Sequence, residues 1–521
     1  MLYLIYYSDG EHKTAHYAIC TAFMALGMML PGMAAGWLQE LIGYENFFIW
    51  VMVCCTATIA VCAFIKIDPN YGKKAEGIPQ KQINPFLFTG YLKHTENMTY
   101  RRSILKLLLT FFVFMTSTLL SRGAEPRSKP PRICIKTGIE VLKEQNFKCL
   151  EGKRVGLITN PTGVDNHLIS TIDILHEAPN VNLVALYGPE HGVRGDVHAG
   201  DKVDNANDSS TGLPVYSLYG KTRKPTPEML KDIDVLVYDI QDIGCRSFTY
   251  ISTMGVAMEA AAENNKEFIV LDRPNPIGGL KIEGNVVEDG YISFVSQFKI
   301  PYLYGLTCGE LALMLNGEQM LSKPCNLHVV KMKGWKRKMD YVQTGLQWIP
   351  SSPHIPHPHS AFFYPVSGIL GELGYMSIGV GYTIPFQMFA APWVEAEKLA
   401  DNLNRLHLPG VIFRPMHLKP FYSVGKEEHL QGVQVHIVDF NKASLSEIQF
   451  YVMQEVTALY PDRAVFDHAD KERFHMFDLV SGSKEIRERF SQRNRWEDVR
   501  DYWYKDVDDF RRLSQKYYLY K

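Results

Sequence analysis

The feature that most constrains the fold is a pattern that occurs four times in the middle of the chain: a short apolar segment followed at once by a polar cluster. The apolar segments lack polar–apolar alternation, which is typical of strands covered on both faces in a parallel sheet. The polar clusters are Asn-Pro-Thr-Gly at 160–163, Gly-Pro-Glu-His-Gly at 188–192, Asp-Ile-Gln-Asp at 239–242 and Asp-Arg-Pro-Asn-Pro at 272–276. Because ligands bind beyond the carboxyl ends of such strands, we expect the four clusters to share one rim.

Helical and extended patterns alternate around these clusters. The predicted strands are 155–159, 181–187, 235–238 and 268–271. The clearest predicted helix runs from Thr249 to Asn264, where apolar side chains recur at helical spacing. This alternation predicts an α/β fold with a Rossmann-like, mostly parallel sheet over residues 133–300. Beyond it, mixed helices, strands and long loops predict a smaller α+β domain over 301–521, with a cleft between the two domains.

Residues 1–123 differ in character from the rest of the chain. Two apolar stretches, roughly 17–38 and 47–65, each have about the twenty residues that a helix needs to cross a bilayer. We therefore predict two transmembrane helices within residues 1–75, followed by a linker at 76–97.

A third apolar stretch has the features of a secretory signal peptide. Arg101 and Arg102 form a basic start, residues 104–120 are apolar, and small residues follow. We assign the signal peptide to 98–123, with Met98 as the natural start of the exported protein, and expect a periplasmic or secreted location. A third membrane span is the competing interpretation. The upstream segment would be membrane-embedded if it is translated with the rest.

Charge and motif content exclude several classes of function. The formal net charge of −1 gives no global field that would attract nucleic acid. The first strand leads into residues 160–163 rather than a GxGxxG turn, so we expect no dinucleotide and no other cofactor. Proline residues between His354, His357 and His359 prevent the helical spacing of a zinc-binding pair. We expect that segment to be a loop that lines the cleft, and we expect no metal site.

Three carboxylates are the candidate catalytic residues. Glu190 lies in a turn at a strand end, where Pro189 and His191 are expected to desolvate it and favour the protonated form that a general acid needs. Asp239 and Asp242 supply a second acidic cluster, and glycoside hydrolysis uses two carboxylates on opposite sides of the scissile bond. The structural alternatives are a helix-capping or ion-paired Glu190, and an Asp239 that only holds its loop.

Arginines near the same rim indicate an acidic substrate. A guanidinium fork matches a carboxylate in a bidentate manner, and Arg194, Arg246 and Arg273 all follow predicted strands. Asn275 is placed to hold sugar hydroxyls, unless it and Asp272 belong to a turn that is merely stiffened by proline and closed by an Asp–Arg pair. The other candidate substrate-binding residues are Asn160, His191, Gln241 and Tyr250.

Together, the sequences at 158–163, 188–192, 238–250 and 271–276 resemble the motifs of the exo-β-N-acetylmuramidase family of peptidoglycan hydrolases. The resemblance extends from about residue 136 to the end. It implies a Rossmann-like domain, a smaller carboxyl-terminal domain, and release of N-acetylmuramic acid from the non-reducing ends of peptidoglycan fragments. It also implies that Glu190 is the catalytic glutamate and that the lactyl carboxylate of the sugar meets the arginines.

One departure from the family pattern leaves the exact sugar open. Many members carry charged residues in a later glycine-rich motif, whereas residues 377–386 of this chain are apolar at those places. The alternatives are a glycosidase for a different N-acetylhexosaminide, a non-catalytic protein that binds cell-wall sugars, and a metal-dependent hydrolase. The second catalytic group also stays open between Asp239, Asp242 and the acetamido group of the substrate itself. We expect second-domain loops such as 354–364 to block one end of the site, as an exo-acting enzyme requires.

Residues 1–75 resemble the carboxyl-terminal end of major facilitator permeases of the AmpG muropeptide-importer type. Only the last two helices of such a transporter would be present. No substrate pathway can be built from two helices, so we predict no transport activity. The only expected partner of the exported part is a sugar derived from peptidoglycan.

Overall fold

The computed structural model describes residues 41, 46–47, 50–51, 135–195, 206–220 and 222–521. The chain divides into two compact units, Met1–Glu125 and Pro126–Lys521. The five described residues of the first unit are helical. Apart from them, the predicted transmembrane helices, the linker and the signal peptide lie outside the described residues. Within the part of the chain that is described, no helix combines the length and hydropathy that a membrane span requires.

The second unit contains a seven-stranded sheet. Its strands are β1 (Arg154–Thr159), β2 (Asn182–Gly188), β3 (Ala206–Asn207), β4 (Pro214–Ser217), β5 (Val235–Asp239), β6 (Glu267–Leu271) and β7 (Asn326–Val330). They lie in the order β3-β4-β2-β1-β5-β6-β7, and every neighbouring pair is parallel except β3 and β4. The chain winds outward from β1 in both directions, as in a doubly wound Rossmann-like sheet. The predicted mostly parallel sheet is therefore confirmed.

The sheet is covered on both faces, which explains the absence of alternation in its sequence. Leu236 and Tyr238 of β5 belong to one buried apolar cluster, whereas Val235 and Val237 belong to another. Successive side chains of a strand point to opposite faces of the sheet, so the two clusters lie on its two sides. Every residue of β5 is consequently buried, including Asp239 at its carboxyl end.

Among the described residues, six helices accompany the sheet. They are α1 (Gly138–Glu144), α2 (Thr171–Glu177), α3 (Pro227–Leu230), α4 (Tyr250–Glu263), α5 (Cys308–Gly317) and α6 (Tyr341–Thr344). Local sequence starts two of them with complete capping boxes, Thr307 with Glu310 before α5 and Asp340 with Gln343 before α6. The predicted helix from Thr249 to Asn264 corresponds to α4 and is confirmed.

The chain continues into a second sheet, with three antiparallel strands in the order β8 (Met388–Ala391), β10 (Leu430–Ile437) and β9 (Val411–Leu418). The helices of this part are α7 (Pro358–Gly371), α8 (Ala396–Arg405), α9 (Ile448–Leu459), α10 (Val465–His468), α11 (Phe474–Ser481), α12 (Glu485–Arg493), α13 (Glu497–Tyr504) and α14 (Val507–Ser514). Two sheets of different type thus support an α/β architecture. The predicted domain boundary at residues 300 and 301 stays a prediction.

Candidate active site

A cavity of about 360 Å³ lies beyond the carboxyl ends of β2 and β5. The turn after β2 and the amino-terminal end of α4 form one side of it, and α7 with the segment that follows it forms another. Its volume falls within the range of about 300–1,000 Å³ that is usual for small-molecule sites. The position agrees with the rule that ligands of doubly wound sheets bind at the carboxyl edge of the strands.

Glu190 reaches this cavity from a tight turn. The N–H of Gly192 donates to the carbonyl oxygen of Pro189 at 2.9 Å, which closes the turn. His191 and Gly192 both have left-handed backbone conformations, with φ of +73° and +77°. Left-handed conformation is uncommon for a residue with a side chain, so the geometry at His191 is maintained by its surroundings. The turn presents the half-buried Glu190 side chain to the cavity.

Two hydroxyl groups hold the carboxylate of Glu190. Thr249 Oγ1 donates to Glu190 Oε2 at 2.8 Å, and the hydroxyl of Tyr219 also forms a hydrogen bond with this carboxylate. Burial and the negative charge of Glu190 raise the pKa of Tyr219 to about 12, so Tyr219 stays protonated and donates. Thr249 precedes α4 as its N-cap, yet its hydroxyl binds Glu190 instead of a helix N–H. Glu190 is therefore oriented by groups from two different loops.

Aromatic rings line much of the cavity wall. Phe248 packs edge-on against Tyr250 and Tyr364, with ring centroids 4.9 and 5.6 Å apart. Tyr364 in turn packs against Phe386 at 4.9 Å. All four rings line the cavity. An apolar lining with a few fixed polar groups is typical of a site for a sugar-sized organic ligand.

Part of the wall comes from the carboxyl-terminal half of the chain. His354 and Tyr364 line the cavity, and so do four residues of the apolar motif, Ser377, Ile378, Val380 and Phe386. The expectation that 354–364 is a loop is wrong for its second half, because Pro358 begins α7. Proline suits the first turn of a helix, where its missing N–H would have no helical partner. Burial and the neighbouring His191 lower the pKa of His354.

Asp239 does not reach the cavity. Its side chain is fully buried and accepts from Arg273 Nε at 2.5 Å, from Arg273 Nη2 at 2.9 Å and from Thr171 Oγ1 at 2.5 Å. Arg273 also donates to the carbonyl oxygen of Val164. This is a saturated, bidentate ion pair inside the protein. A base or nucleophile needs access to the sugar, and this placement gives Asp239 none.

Asp242 is also enclosed. It is 4 % exposed, and it accepts from the Gly244 N–H at 2.7 Å and from the hydroxyl of Tyr304. Burial raises the pKa of Asp242 to about 6, although both hydrogen bonds oppose this change. Like Asp239, it is not among the described residues that line the cavity. The predicted pairing of Glu190 with either aspartate is thus not realised in this geometry.

Asp242 should make stability depend on pH. Its pKa is higher in the folded than in the unfolded protein, so its contribution to stability falls as the pH rises from about 4 and levels off above about 6. Between pH 5 and pH 8 this amounts to roughly 1 kcal/mol. We expect Asp242→Asn to reduce the stability difference between these two pH values by that amount in urea unfolding. Asp234→Asn is the matched control, because its exposed carboxylate has a pKa of about 2. An Asp242→Asn protein with the wild-type pH dependence would contradict this expectation.

The three arginines do not reach the cavity either. Arg194 forms a bidentate pair with Asp208, at 2.8 and 2.9 Å. Arg246 is 1 % exposed and donates to the carbonyl oxygens of three residues, Asn285, Ile300 and Val480. Arg273 is committed to Asp239. The structure therefore gives these guanidinium groups roles within the protein, and none of them faces the candidate sugar site.

Four further candidates hold the loops in place. Asn160 accepts from Thr162, and Gln241 donates to the carbonyl oxygen of Pro274 at 2.7 Å. Asn275 Nδ2 donates to the carbonyl oxygen of Leu306 at 2.9 Å. Asp272 accepts from Thr307, Gly309 and Tyr520. Of the twelve predicted site residues, Glu190, His191 and Tyr250 line the cavity.

Several cavity residues were not predicted as site residues. Ser247, Phe248 and Thr249 lie inside the 238–250 motif, so attention to the whole motif would have found them. Tyr219, Tyr364 and Glu372 also line the cavity, and no local pattern marks them. Within the described ranges no group of three His, Cys, Asp or Glu residues is arranged to hold a metal ion.

A second depression, of about 650 Å³, shares no described lining residue with the first. Two of its lining carboxylates have structural roles. Glu283 accepts from the backbone of Leu445 and from Ser446, and Glu447 accepts from Tyr504. The cavity that contains Glu190 is therefore the better candidate for catalysis.

Comparisons with known proteins identify the family of this chain. Two family models match, described as the N-terminal and C-terminal parts of exo-beta-N-acetylmuramidase NamZ, at residues 155–359 and 362–520. The peptidoglycan beta-N-acetylmuramidase NamZ of Bacillus subtilis (strain 168) is 43% identical over 423 residues, which are 81% of this chain and 100% of the relative.

Two crystal structures of DUF1343 family proteins from Bacteroides fragilis NCTC 9343 are also similar. One is 98% identical, covers 75% of this chain and 100% of its own, and has a TM-score of 0.73. The other is 28% identical, covers 74% of this chain and 99% of its own, and has a TM-score of 0.58. The matched family models cover more than half of the chain. The chain therefore belongs to the exo-β-N-acetylmuramidase NamZ family.

Proposed function

We propose that this protein is an exo-acting glycoside hydrolase that releases N-acetylmuramic acid from the non-reducing ends of peptidoglycan fragments. Family membership supports the reaction class, and the Bacillus subtilis relative carries this activity in its name. The observation that carries the proposal for this chain is Glu190, which two hydroxyl groups hold at the wall of a cavity large enough for a sugar.

Glu190 is proposed to act as the general acid. It donates its proton to the glycosidic oxygen as the bond between that oxygen and the anomeric carbon breaks, so the leaving sugar departs as a neutral alcohol. The oxygen of a water molecule bonds to the anomeric carbon to complete the hydrolysis, and a proton of that water restores the acid form of Glu190. Thr249 and Tyr219 fix the direction of the carboxyl group, which limits the proton transfer to one position in the cavity. The rings of Phe248, Tyr250 and Tyr364 line the cavity and offer an apolar surface to the sugar ring.

One observation favours a second candidate, a glycosidase for a neutral N-acetylhexosaminide. Among the described residues that line the cavity there is no arginine or lysine. The lactyl carboxylate of muramic acid would then rely on weaker donors such as His191 and His354. N-acetylglucosamine lacks this carboxylate and would not need a cation.

A pair of chromogenic substrates distinguishes these candidates. We expect the purified protein to release 4-nitrophenol from the β-N-acetylmuramide at least tenfold faster, in kcat/KM, than from the β-N-acetylglucosaminide. The reverse preference would favour the neutral sugar. Release from neither substrate, with binding of both, would leave a non-catalytic sugar-binding protein as the remaining function.

The proposed location is the periplasm or the outside of the cell. It rests on the signal-peptide pattern at 98–123 and on the location of the proposed substrate, the cell wall. Amino-terminal sequencing of the mature protein from its native host tests it. A start close to Ala124 is expected, and a mature protein that retains 98–123 would refute the signal peptide.

A further inference from the structure

The cavity that holds Glu190 contains a second carboxylate among its described lining residues, that of Glu372. Glu372 directly follows α7 and keeps a helical backbone conformation. Tyr364, Gly368 and Glu372 are spaced four residues apart, so they lie on one face of this helix, and all three line the cavity. At about 1.5 Å per residue, Tyr364 and Glu372 are about 12 Å apart along the helix axis.

The carboxylates of Glu190 and Glu372 both raise the pKa of the same tyrosine, Tyr364. Burial together with the negative charges of Glu372 and Glu190 raises the pKa of Tyr364 well above its ordinary value. The Tyr364 hydroxyl also forms a 3.3 Å hydrogen bond with Ser247. Glu190 and Glu372 therefore approach one cavity from different parts of the fold, one from the turn after β2 and the other from the end of α7.

Glu372 differs from the buried carboxylates that stabilise the fold. Asp239 and Glu283 are each engaged by several protein donors. Within the described ranges, no hydrogen-bond donor engages the carboxylate of Glu372. Arg473 donates to the backbone oxygen of Glu372 at 3.3 Å. Its positive charge favours the ionised form of the Glu372 carboxylate and so lowers the pKa of that group. Glu372 is half-buried and faces the cavity, so its carboxylate is open to a ligand, which is typical of functional rather than structural placement.

We propose that Glu372 is a catalytic residue whose carboxylate stabilises the positive charge that develops on the sugar as the glycosidic bond breaks. This inference rests on the proposed glycosidase function. The transition state of glycoside hydrolysis resembles an oxocarbenium ion, so the sugar is more positive there than in the bound substrate. A fixed negative charge close to the reacting carbon stabilises such a state more than the ground state. Asp239 and Asp242 are enclosed and cannot supply this charge.

Glu372→Gln tests the proposal, because glutamine keeps the size of the side chain and removes its charge. We expect kcat to fall about 10²-fold on both the 4-nitrophenyl β-N-acetylmuramide and a natural disaccharide fragment, with KM within about threefold of wild type. The loss should be alike on both because the sugar becomes positive whichever group leaves. A folded Glu372→Gln protein that keeps more than a third of the wild-type kcat would refute the proposal.

Arg473→Gln separates this role from a structural one. The ionisable groups around Glu372 are Arg473 behind it and, among the described residues of the cavity, Glu190, His191, Tyr219, Tyr250, His354 and Tyr364. Burial raises the pKa of Glu372, and the charge of Arg473 opposes this change. We therefore expect Arg473→Gln to keep the plateau kcat within a few-fold and to move the acid limb of the pH–activity profile to higher pH. If Glu372 only held Arg473 at the end of α7, the two variants would lose equal activity, which would overturn the proposal.

Failure of this inference and failure of the proposed function give different results. If the wild-type protein cleaves neither sugar, the glycosidase function itself is refuted before any variant is compared. Circular dichroism and thermal midpoints check that the variants are folded. Should Glu372→Gln fail to fold, Glu372→Asp replaces it, and we expect an intermediate loss because the carboxylate is drawn back from the cavity. Full activity of Glu372→Asp would count against the proposal.

Discussion

Glu190→Gln is expected to lower kcat on a natural disaccharide fragment by about 10³-fold, with KM within a few-fold of wild type. General acid catalysis contributes about 10²–10⁴-fold, and a sugar alcohol is a poor leaving group without a proton. Glutamine retains acceptor capacity for the hydroxyls of Thr249 and Tyr219, so the turn after β2 should persist. The measurement is steady-state kinetics by product quantification, with thermal midpoints to confirm folding.

The leaving group provides the internal check on this role. 4-Nitrophenolate departs with little need for a proton, so the loss caused by Glu190→Gln should be at least tenfold smaller on the aryl muramide than on the disaccharide. Glu228→Gln on α3 is the matched control, because this glutamate lies at the surface and is absent from the cavity lining. A loss of equal size on both substrates would assign Glu190 a role other than protonation of the leaving group.

The sheet could be predicted from the sequence because its signal is local. The four central strands, β1, β2, β5 and β6, are short and mostly apolar segments, and in β5 successive residues enter apolar clusters on opposite faces of the sheet. The strands β3 and β4 carry no such signal and were not predicted. Glu190 could also be predicted, because Pro189 and Gly192 mark a turn directly after a strand. Both inferences need only neighbours in sequence and the rule that the carboxyl ends of parallel strands share an edge.

The sequence does not distinguish which of the other acidic residues lie in the site and which stabilise the fold. A carboxylate at the end of one strand and an arginine after the next strand form either a substrate site or a buried ion pair. The sequence pattern is the same in both cases, so it does not distinguish them. Asp239 and Arg273 belong to the second kind because Thr171 and the carbonyl of Val164 complete their hydrogen bonds. Glu372 illustrates the opposite case. It comes from a different part of the chain, and only the packing of α7 brings it to the cavity of Glu190.

Arg273→Met is expected to destabilise the protein by about 3–5 kcal/mol. The substitution leaves the fully buried Asp239 without its cation, and an uncompensated buried charge has a cost of that size. The measurement is urea unfolding at neutral pH. Lys224→Met is the matched control, since Lys224 pairs with Glu263 at the surface, where both side chains are more than a third exposed. An exposed pair contributes about 0–1 kcal/mol, so the control should stay close to wild type.

The double variant Asp239→Asn with Arg273→Met separates stability from catalysis. Removing both charges should recover more than half of the stability that Arg273→Met loses, because no unpaired charge then remains in the interior. If the pair serves only the fold, the double variant keeps kcat within a few-fold of wild type per folded molecule, since neither side chain lines the cavity. A stable, folded double variant with kcat reduced 10³-fold would instead return Asp239 to the catalytic machinery. The two carboxylates of the reaction would then be Glu190 and Asp239, and Glu372 would lose its assigned role.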